Sequence, residues 1–401
     1  MSDSLDEFDG AEADDRDFFS FGPVEFKQME IRNFLSYKQA RLRLGDLVAL
    51  VGPNASGKSN AVAAVRLLRD IPLYGLPTAV ARRGGFDQLR HRSDGRPYDP
   101  SLVLEFRHDG APEDSRYELH LGAVKGGRYR VKREFARIYM ADGQYYEFVR
   151  DAEKIVWTSP SFGIEGEPKS ITAPVIAGQS AITTAGFAGL VMRDVLQRMQ
   201  TVEVNPAKVA DLQDPTSIDY FESDGSNTVG IYESLTPRMK SVLVDQLAAI
   251  VPGITKIEVA NLTDKQTLRF HQEVSGSIRK FYAKQMSDGT LRTFAILLAM
   301  LQPNKSSLLV IEEPEIAIHL GALRTMVEIL RANSDKTQIL ITTHSADIVD
   351  NLPVDSIRVV WSEGGASHIA PVAEHSKRPV IDGLITPGEL LRSDALDPAL
   401  A

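Results

Sequence analysis

Residues 52–59 read GPNASGKS, and residues 308–319 read LLVIEEPEIAIH. The first stretch fits G-x-x-x-x-G-K-[ST], a spacing that lets successive backbone amides face phosphate oxygens. Gly52 and Gly57 supply the bends. Lys58 can neutralise the β- and γ-phosphates, and Ser59 can coordinate Mg2+. The expected cradle is Gly52, Pro53, Asn54, Ala55, Ser56, Gly57, Lys58, Ser59 and Asn60. The second stretch runs four apolar residues straight into Glu312, Glu313, a proline and Glu315. Carboxylates that leave water cost free energy, and adjacent like charges cost more. A bound cation and a reacting phosphate would offset that cost. Glu312 is then the acid near magnesium, and Glu313 the carboxylate that polarises or deprotonates the attacking water. The plainer alternative is an exposed strand end with solvated acids.

Two smaller stretches add to the pattern. MSDGT, residues 286–290, opens an apolar helix, and Ser287 and Gly289 could present a hydroxyl, amides and a helix N-terminus to an anion. Alone, Ser-Asp-Gly also reads as a turn and N-cap. ITTHS, residues 341–345, ends a strand at His344, where a γ-phosphate contact or a purely structural histidine would fit.

The surrounding pattern predicts the elements that hold these residues. Residues 24–44 alternate as a hairpin does, and 46–51 form the continuous apolar run of a strand covered on both faces. A helix is expected from Asn60 to about Arg69, stopped by Pro72. Residues 101–149 alternate as an antiparallel meander. Met192, Val195, Leu196 and Met199 follow a helical period. Thr236-Pro237 can cap a helix with Met239, Val242 and Leu243 on its inner face. Residues 290–301 are apolar nearly all round, so that helix should be buried. Short strands at 308–311, 339–342 and 357–361 follow, with a helix at about 320–332.

The chain has 401 residues, 43% of them hydrophobic, enough for more than one domain. There are no cysteines, so disulfides and thiolate metal sites are excluded and a cytoplasmic location is expected. No apolar run is long enough for a membrane span, and the N-terminus does not resemble a signal peptide. Of the net charge of −9, residues 1–20 carry −7, which predicts an acidic disordered tail.

Taken in order, the motifs resemble the ABC-type ATPase heads of the SMC/RecF/OLD superfamily. NFLSYKQARLRLGDLVALVGPNASGKSN is similar to their N-terminal strand pair and Walker A, and MSDGTLR to their signature motif. LLVIEEPE resembles their Walker B and ITTHS their switch histidine. Compact AAA-like ATPases of bacterial defence or DNA maintenance are the nearest in kind. YFESDGSNTVGIYESL and VPGITKIEV resemble further stretches of that group, and the likeness runs over residues 24–375.

The resemblance implies an α/β P-loop NTPase of ABC type: a mixed central sheet, an antiparallel β-meander lobe and a helical signature lobe. It implies two ATP molecules with Mg2+ in a head-to-tail homodimer, Ser287 and Gly289 of one copy meeting Walker A and B of the other. Glu313 would be the catalytic base and His344 the γ-phosphate sensor. Gln179 has the family's sensing-glutamine position, with Gln88 as competitor and a structural glutamine as a third reading. The expected divisions are an acidic tail 1–20, a nucleotide-binding lobe 21–178, a helical lobe 179–290, the second half of the core 291–375 and a C-terminal tail 376–401. Two departures stand out. Glu312 replaces the commoner aspartate, and Ile318-His319-Leu320 breaks a Leu-His-Pro pattern.

Arg128, Arg130 and Lys132 share a strand face, and Arg82, Arg83, Arg90, Arg92 and Arg96 lie close in sequence. They suggest DNA as a partner, or else a solvated strand face and an arginine-rich loop. With no room for a nuclease domain after the core, an effector such as a nuclease would be separately encoded. The competing functions are the nucleotide-binding subunit of a membrane transporter and a hydrolysis-poor nucleotide-dependent scaffold.

Overall fold

The computed structural model describes residues 21–92, 98–151, 154–159, 169–215, 220–304 and 306–399. The acidic stretch 1–20 and Arg96 fall outside the described residues. The chain opens with β1 (Val24–Phe34), β2 (Tyr37–Arg43) and β3 (Leu47–Val51), then α1 (Lys58–Tyr74), α2 (Leu76–Ala81) and α3 (Phe86–Leu89). Six strands follow: β4 (Ser101–His108), β5 (Ser115–Val124), β6 (Arg128–Tyr139), β7 (Tyr145–Arg150), β8 (Lys154–Ser159) and β9 (Lys169–Pro174). Next come α4 (Gly186–Gln197), β10 (Met199–Val202), α5 (Pro206–Ala210), α6 (Thr228–Ser234) and α7 (Pro237–Ile250). The strands β11 (Ile254–Leu262), β12 (Lys265–Val274) and β13 (Ser277–Tyr282) precede α8 (Asp288–Leu301). The last part holds β14 (Leu308–Glu312), α9 (Leu320–Ser334), β15 (Gln338–Thr343), α10 (Ala346–Val349), β16 (Ile357–Glu363), β17 (Ala366–Pro371), α11 (Glu374–Ile381) and α12 (Pro387–Arg392).

The central sheet has the order β10-β14-β15-β3-β16-β17. It is parallel up to β16, and β17 pairs antiparallel at its edge. A second sheet of eight strands, order β2-β1-β4-β5-β6-β7-β8-β9, is antiparallel throughout. A third, β11-β12-β13, is a small antiparallel unit.

The continuous apolar runs have a simple cause. Successive side chains on a strand point to opposite faces. Val48, Leu50, Leu308, Val310 and Leu340 enter one core, with α1, α4 and the eight-stranded sheet. Ala49, Val51, Leu309, Ile311, Ile339 and Ile341 enter the other, with α7, α8 and α9. Both faces are covered, so the runs 47–51, 308–311 and 339–341 are apolar throughout. Helix α8 is buried as expected. Phe294, Leu297 and Leu298 are fully enclosed, each contributing about 1.5–3 kcal/mol by burial.

Several local expectations are corrected. Helix α1 does not stop before Pro72 but runs on to Tyr74. The proline lies in the last turn, where it forfeits only the bond to the Leu68 carbonyl, while buried Leu67, Leu68 and Ile71 hold the helix in place. Met199 is not a helical residue but the first of β10, and it pairs with Leu308. On α7, Thr236 caps as expected and Leu243, Leu247 and Ile250 form the buried stripe, but Val242 is exposed. Residues 179–290 carry β10 and the β11–β13 sheet besides their helices. Residues 374–399 hold α11 and α12, and Val372 bridges Pro398, so the described part of this stretch is folded.

Candidate functional site

The parallel register brings the chemistry together. Val202 lies opposite Ile311, Glu312 opposite Thr342, and Thr343 opposite Val51. The carboxyl ends of β10, β14, β15 and β3 therefore share one edge, where ligands settle in open α/β sheets. Glu312 ends β14, and Glu203, Glu313, His344 and Gly52 directly follow the ends of β10, β14, β15 and β3.

The loop after β3 is gripped from several sides. Ala55 and Gly57 both adopt positive φ, 63° and 115°. A Cβ on Gly57 would run into the Ser367 side chain, and one on Gly52 into the Val360 carbonyl, so the tight packing requires glycine. The buried Tyr37 hydroxyl donates to the Gly57 carbonyl at 3.0 Å. Asn60 Nδ2 donates to Ser36 Oγ at 2.7 Å, and Ser367 Oγ donates to the same atom at 2.7 Å. Lys58 is buried, and its ammonium donates to the carbonyls of Gly52 (2.7 Å) and Pro53 (3.0 Å). Burial pushes its pKa down, while the carboxylates of Glu313 and Glu315 push back. Pro53, Asn54, Ala55 and Ser59 are exposed along the loop, while Ser56 is buried with an unpartnered hydroxyl.

Glu312 sits beside Ser59. The Ser59 hydroxyl donates to its carboxylate, and Arg66 forms an ion pair with it. Burial nonetheless raises the Glu312 carboxyl, with Glu203 and Glu313 adding to the rise. Arg66 also meets Glu203 at 2.8 Å. Glu313 adopts a left-handed backbone, φ 46°, which a non-glycine residue rarely takes. Its amide is fixed by the Thr342 carbonyl (3.0 Å) and hydroxyl (3.2 Å). Its Oε1 lies 3.5 Å from His344 Nδ1. Glu315 approaches the same ring nitrogen: its Oε1 accepts from Thr343 Oγ1 (2.6 Å) and lies 3.8 Å from His344 Nδ1. The residues fit a hard cation. A hydroxyl and a carboxylate already in contact are the modest protein ligand set that magnesium takes when phosphates and water supply the rest.

The signature residues lie elsewhere. Ser287 caps α8, accepting from the Thr290 amide, and shares a 2.8 Å hydroxyl contact with Thr290. A Cβ on Gly289 would collide with the carbonyl of Ala317, in the loop that follows Glu313. Gly289 is thus needed for packing within its own chain. Gly289→Ala is expected to cost about 1–3 kcal/mol as an overpacked contact. Urea denaturation checks this, and an unchanged midpoint would mean that the loop yields freely.

Gln179 is not brought to the loop. Its Oε1 stands 3.7 Å from the place of a Cβ on Gly75, past the end of the 17-residue α1. Lys58 begins that helix, roughly 25 Å away at 1.5 Å per residue. Gln88 lies in α3, accepting from Arg92 at 3.2 Å. That helix touches the β1–β2 turn through Leu35 and Leu89, next to Ser36. The expected arginine cluster is divided. Arg83 pairs with Asp70 at 2.9 Å beside α1, whereas Arg90 and Lys132 both pair with Asp99 near the β5–β6 hairpin. Arg128 and Arg130 are exposed on β6.

Sequence reasoning missed Arg66, Glu203 and Glu315 as site residues. Arg66 carried a signal, since it stands seven residues after Ser59 on the same face of α1. Glu203 carried none, because β10 is four residues long.

Fold and loop together define a P-loop NTPase of ABC type. Residues 47–145 and 198–350 match the family described as "AAA domain, putative AbiEii toxin, Type IV TA system", and the chain belongs to that family. Among solved structures it is similar to an SMC head bound to the C-terminal winged-helix domain of ScpA. The TM-score is 0.54 at 13% identity, covering 86% of this chain and 97% of that one. It is also similar to the Pyrococcus furiosus SMC head with an extended coiled coil bound to the C-terminal domain of ScpA. There the TM-score is 0.54 at 11% identity, with 90% and 99% covered. These likenesses show the fold of an SMC head domain. No curated protein matches the chain. Among the described residues no helix is long and apolar enough to cross a membrane.

Proposed function

We propose that the chain binds ATP with magnesium, hydrolyses it between two copies of itself, and uses that cycle to gate a DNA transaction or a separately encoded effector. The observation that carries this reading is the meeting of Lys58, Ser59, Glu312, Glu313 and His344 on one sheet edge. Lys58 neutralises the β- and γ-phosphates. Ser59 and Glu312 would hold the cation, which when bound would supply positive charge beside the phosphates. Glu313, fixed in its unusual backbone, takes a proton from the attacking water. His344, its Nδ1 facing Glu313 and Glu315, donates to the γ-phosphate. Ser287 and Gly289 complete the site from the second copy. Exposed Ile316, on the loop that packs over Gly289, and Leu320, which opens α9 just after it, support that face as the dimer contact.

Lys58→Ala is expected to weaken ATP binding roughly 10–100-fold, the worth of a charge-assisted bond. Isothermal titration with ATP and magnesium checks it. Wild-type affinity in this variant would overturn the assignment of the loop.

A further inference from the structure

A cavity of about 390 Å³ lies alongside α1, closed by Arg82 and Arg83 after α2 and by the segments around Thr201–Glu203 and Glu222–Ser226. Its floor holds Arg69, only 8% exposed. No described residue accepts a hydrogen bond from Arg69 or pairs with it, and its Nε is enclosed without a partner. Every other arginine of the cavity is engaged. Arg83 meets Asp70, Arg66 meets Glu312 and Glu203, and Arg82 lies 4.2 Å over the Tyr74 ring. The acids of the wall do not serve Arg69. Asp70 is taken by Arg83, Glu203 by Arg66, and Asp224 accepts the Ser226 amide at 2.9 Å. Glu222 remains, and its charge acts on Arg82. A residue buried this far, with its Nε enclosed and no counter-charge paired to its guanidinium, leaves donors and a positive charge unmatched. Facing a polar cavity, it is the mark of an anion site.

We propose that this cavity binds the phosphate group of a small molecule, with Arg69 as the central ligand and Arg82 at the mouth. Recessed Arg69 is out of reach of a duplex backbone, and the volume suits a nucleotide-sized compound. The cavity is coupled to the nucleotide site through Arg66, which lines it and also holds Glu312. An anion that draws Arg66 toward it frees the Glu312 carboxylate. That coupling rests on the ATPase reading above, but the binding does not.

The test therefore uses the full chain carrying Lys58→Ala, titrated calorimetrically with inorganic phosphate and, separately, with AMP. Binding is expected to persist in this background, to weaken at least tenfold on adding Arg69→Gln, and to weaken severalfold with exposed Arg82→Gln. Tighter binding of AMP than of phosphate points to a nucleotide; equal affinity points to the phosphate group alone, and both support the site. Loss of all binding with Lys58→Ala, or binding indifferent to both arginine variants, overturns it. Should Arg69→Gln fail to fold, Arg82→Gln decides.

Discussion

Glu313→Gln is expected to bind ATP as wild type does while hydrolysis falls by a factor on the order of 10²–10⁴, the usual worth of a positioned general base. The geometry explains why the two effects separate. In the proposed reading Lys58 and Ser59 meet the nucleotide, and neither depends on Glu313 for its position. Lys58 is held by the Gly52 and Pro53 carbonyls, and Ser59 by Glu312. Glutamine fits the same space, and the amide of residue 313 keeps both Thr342 contacts. What disappears is a carboxylate able to take a proton. With hydrolysis blocked, the ATP-bound dimer should accumulate. Phosphate release measures the first effect, and gel filtration with ATP and magnesium the second. Unchanged turnover would remove Glu313 from the chemistry. A purely monomeric elution profile would remove the dimer from the cycle.

The parts of this site that were legible in the sequence are those whose function constrains consecutive residues. A phosphate loop must bend at fixed intervals, so GPNASGKS reads directly. A doubly covered strand must be apolar throughout, so Leu308–Ile311 marks the place where Glu312 emerges. What remained hidden depends on contacts between distant segments. Gln179 was placed by its order along the chain, but α1 carries the neighbouring Gly75 a whole helix length from the loop. Glu203 reaches the site only because β10 pairs with β14, a pairing of four residues that ends in no motif. Arg83 and Arg90 are close in sequence, yet separate acids, Asp70 and Asp99, draw them to different places. Gly289 reads as an anion-facing residue, although its lack of a side chain already answers to the Ala317 carbonyl.

Glu134→Ala is expected to destabilise the fold by about 3–5 kcal/mol, because it removes the acid beside a buried arginine. Glu134 is fully buried on β6, and Arg150, 1% exposed, lies opposite it on β7 at 3.8 Å. The carboxylate accepts from the Tyr117 hydroxyl (2.9 Å), the Ser180 hydroxyl (2.5 Å) and the Ala181 amide (2.7 Å). It thus ties the meander to the turn that leads into α4. Alanine leaves all three donors unsatisfied and Arg150 with only the Gln179 and Ile176 carbonyls. Burial lifts the Glu134 carboxyl above the usual carboxylate range, despite the opposing pull of Ala181, Ser180, Tyr117 and Arg150. Its share of stability is therefore full below the unfolded-state value and declines as pH rises through the higher folded-state value. Glu134→Gln keeps the shape and an acceptor, so it should lose less than alanine and flatten that pH dependence. Urea unfolding of the three proteins across pH measures both effects. An alanine variant within 1 kcal/mol of wild type would show that water satisfies this network and that the meander does not rely on it.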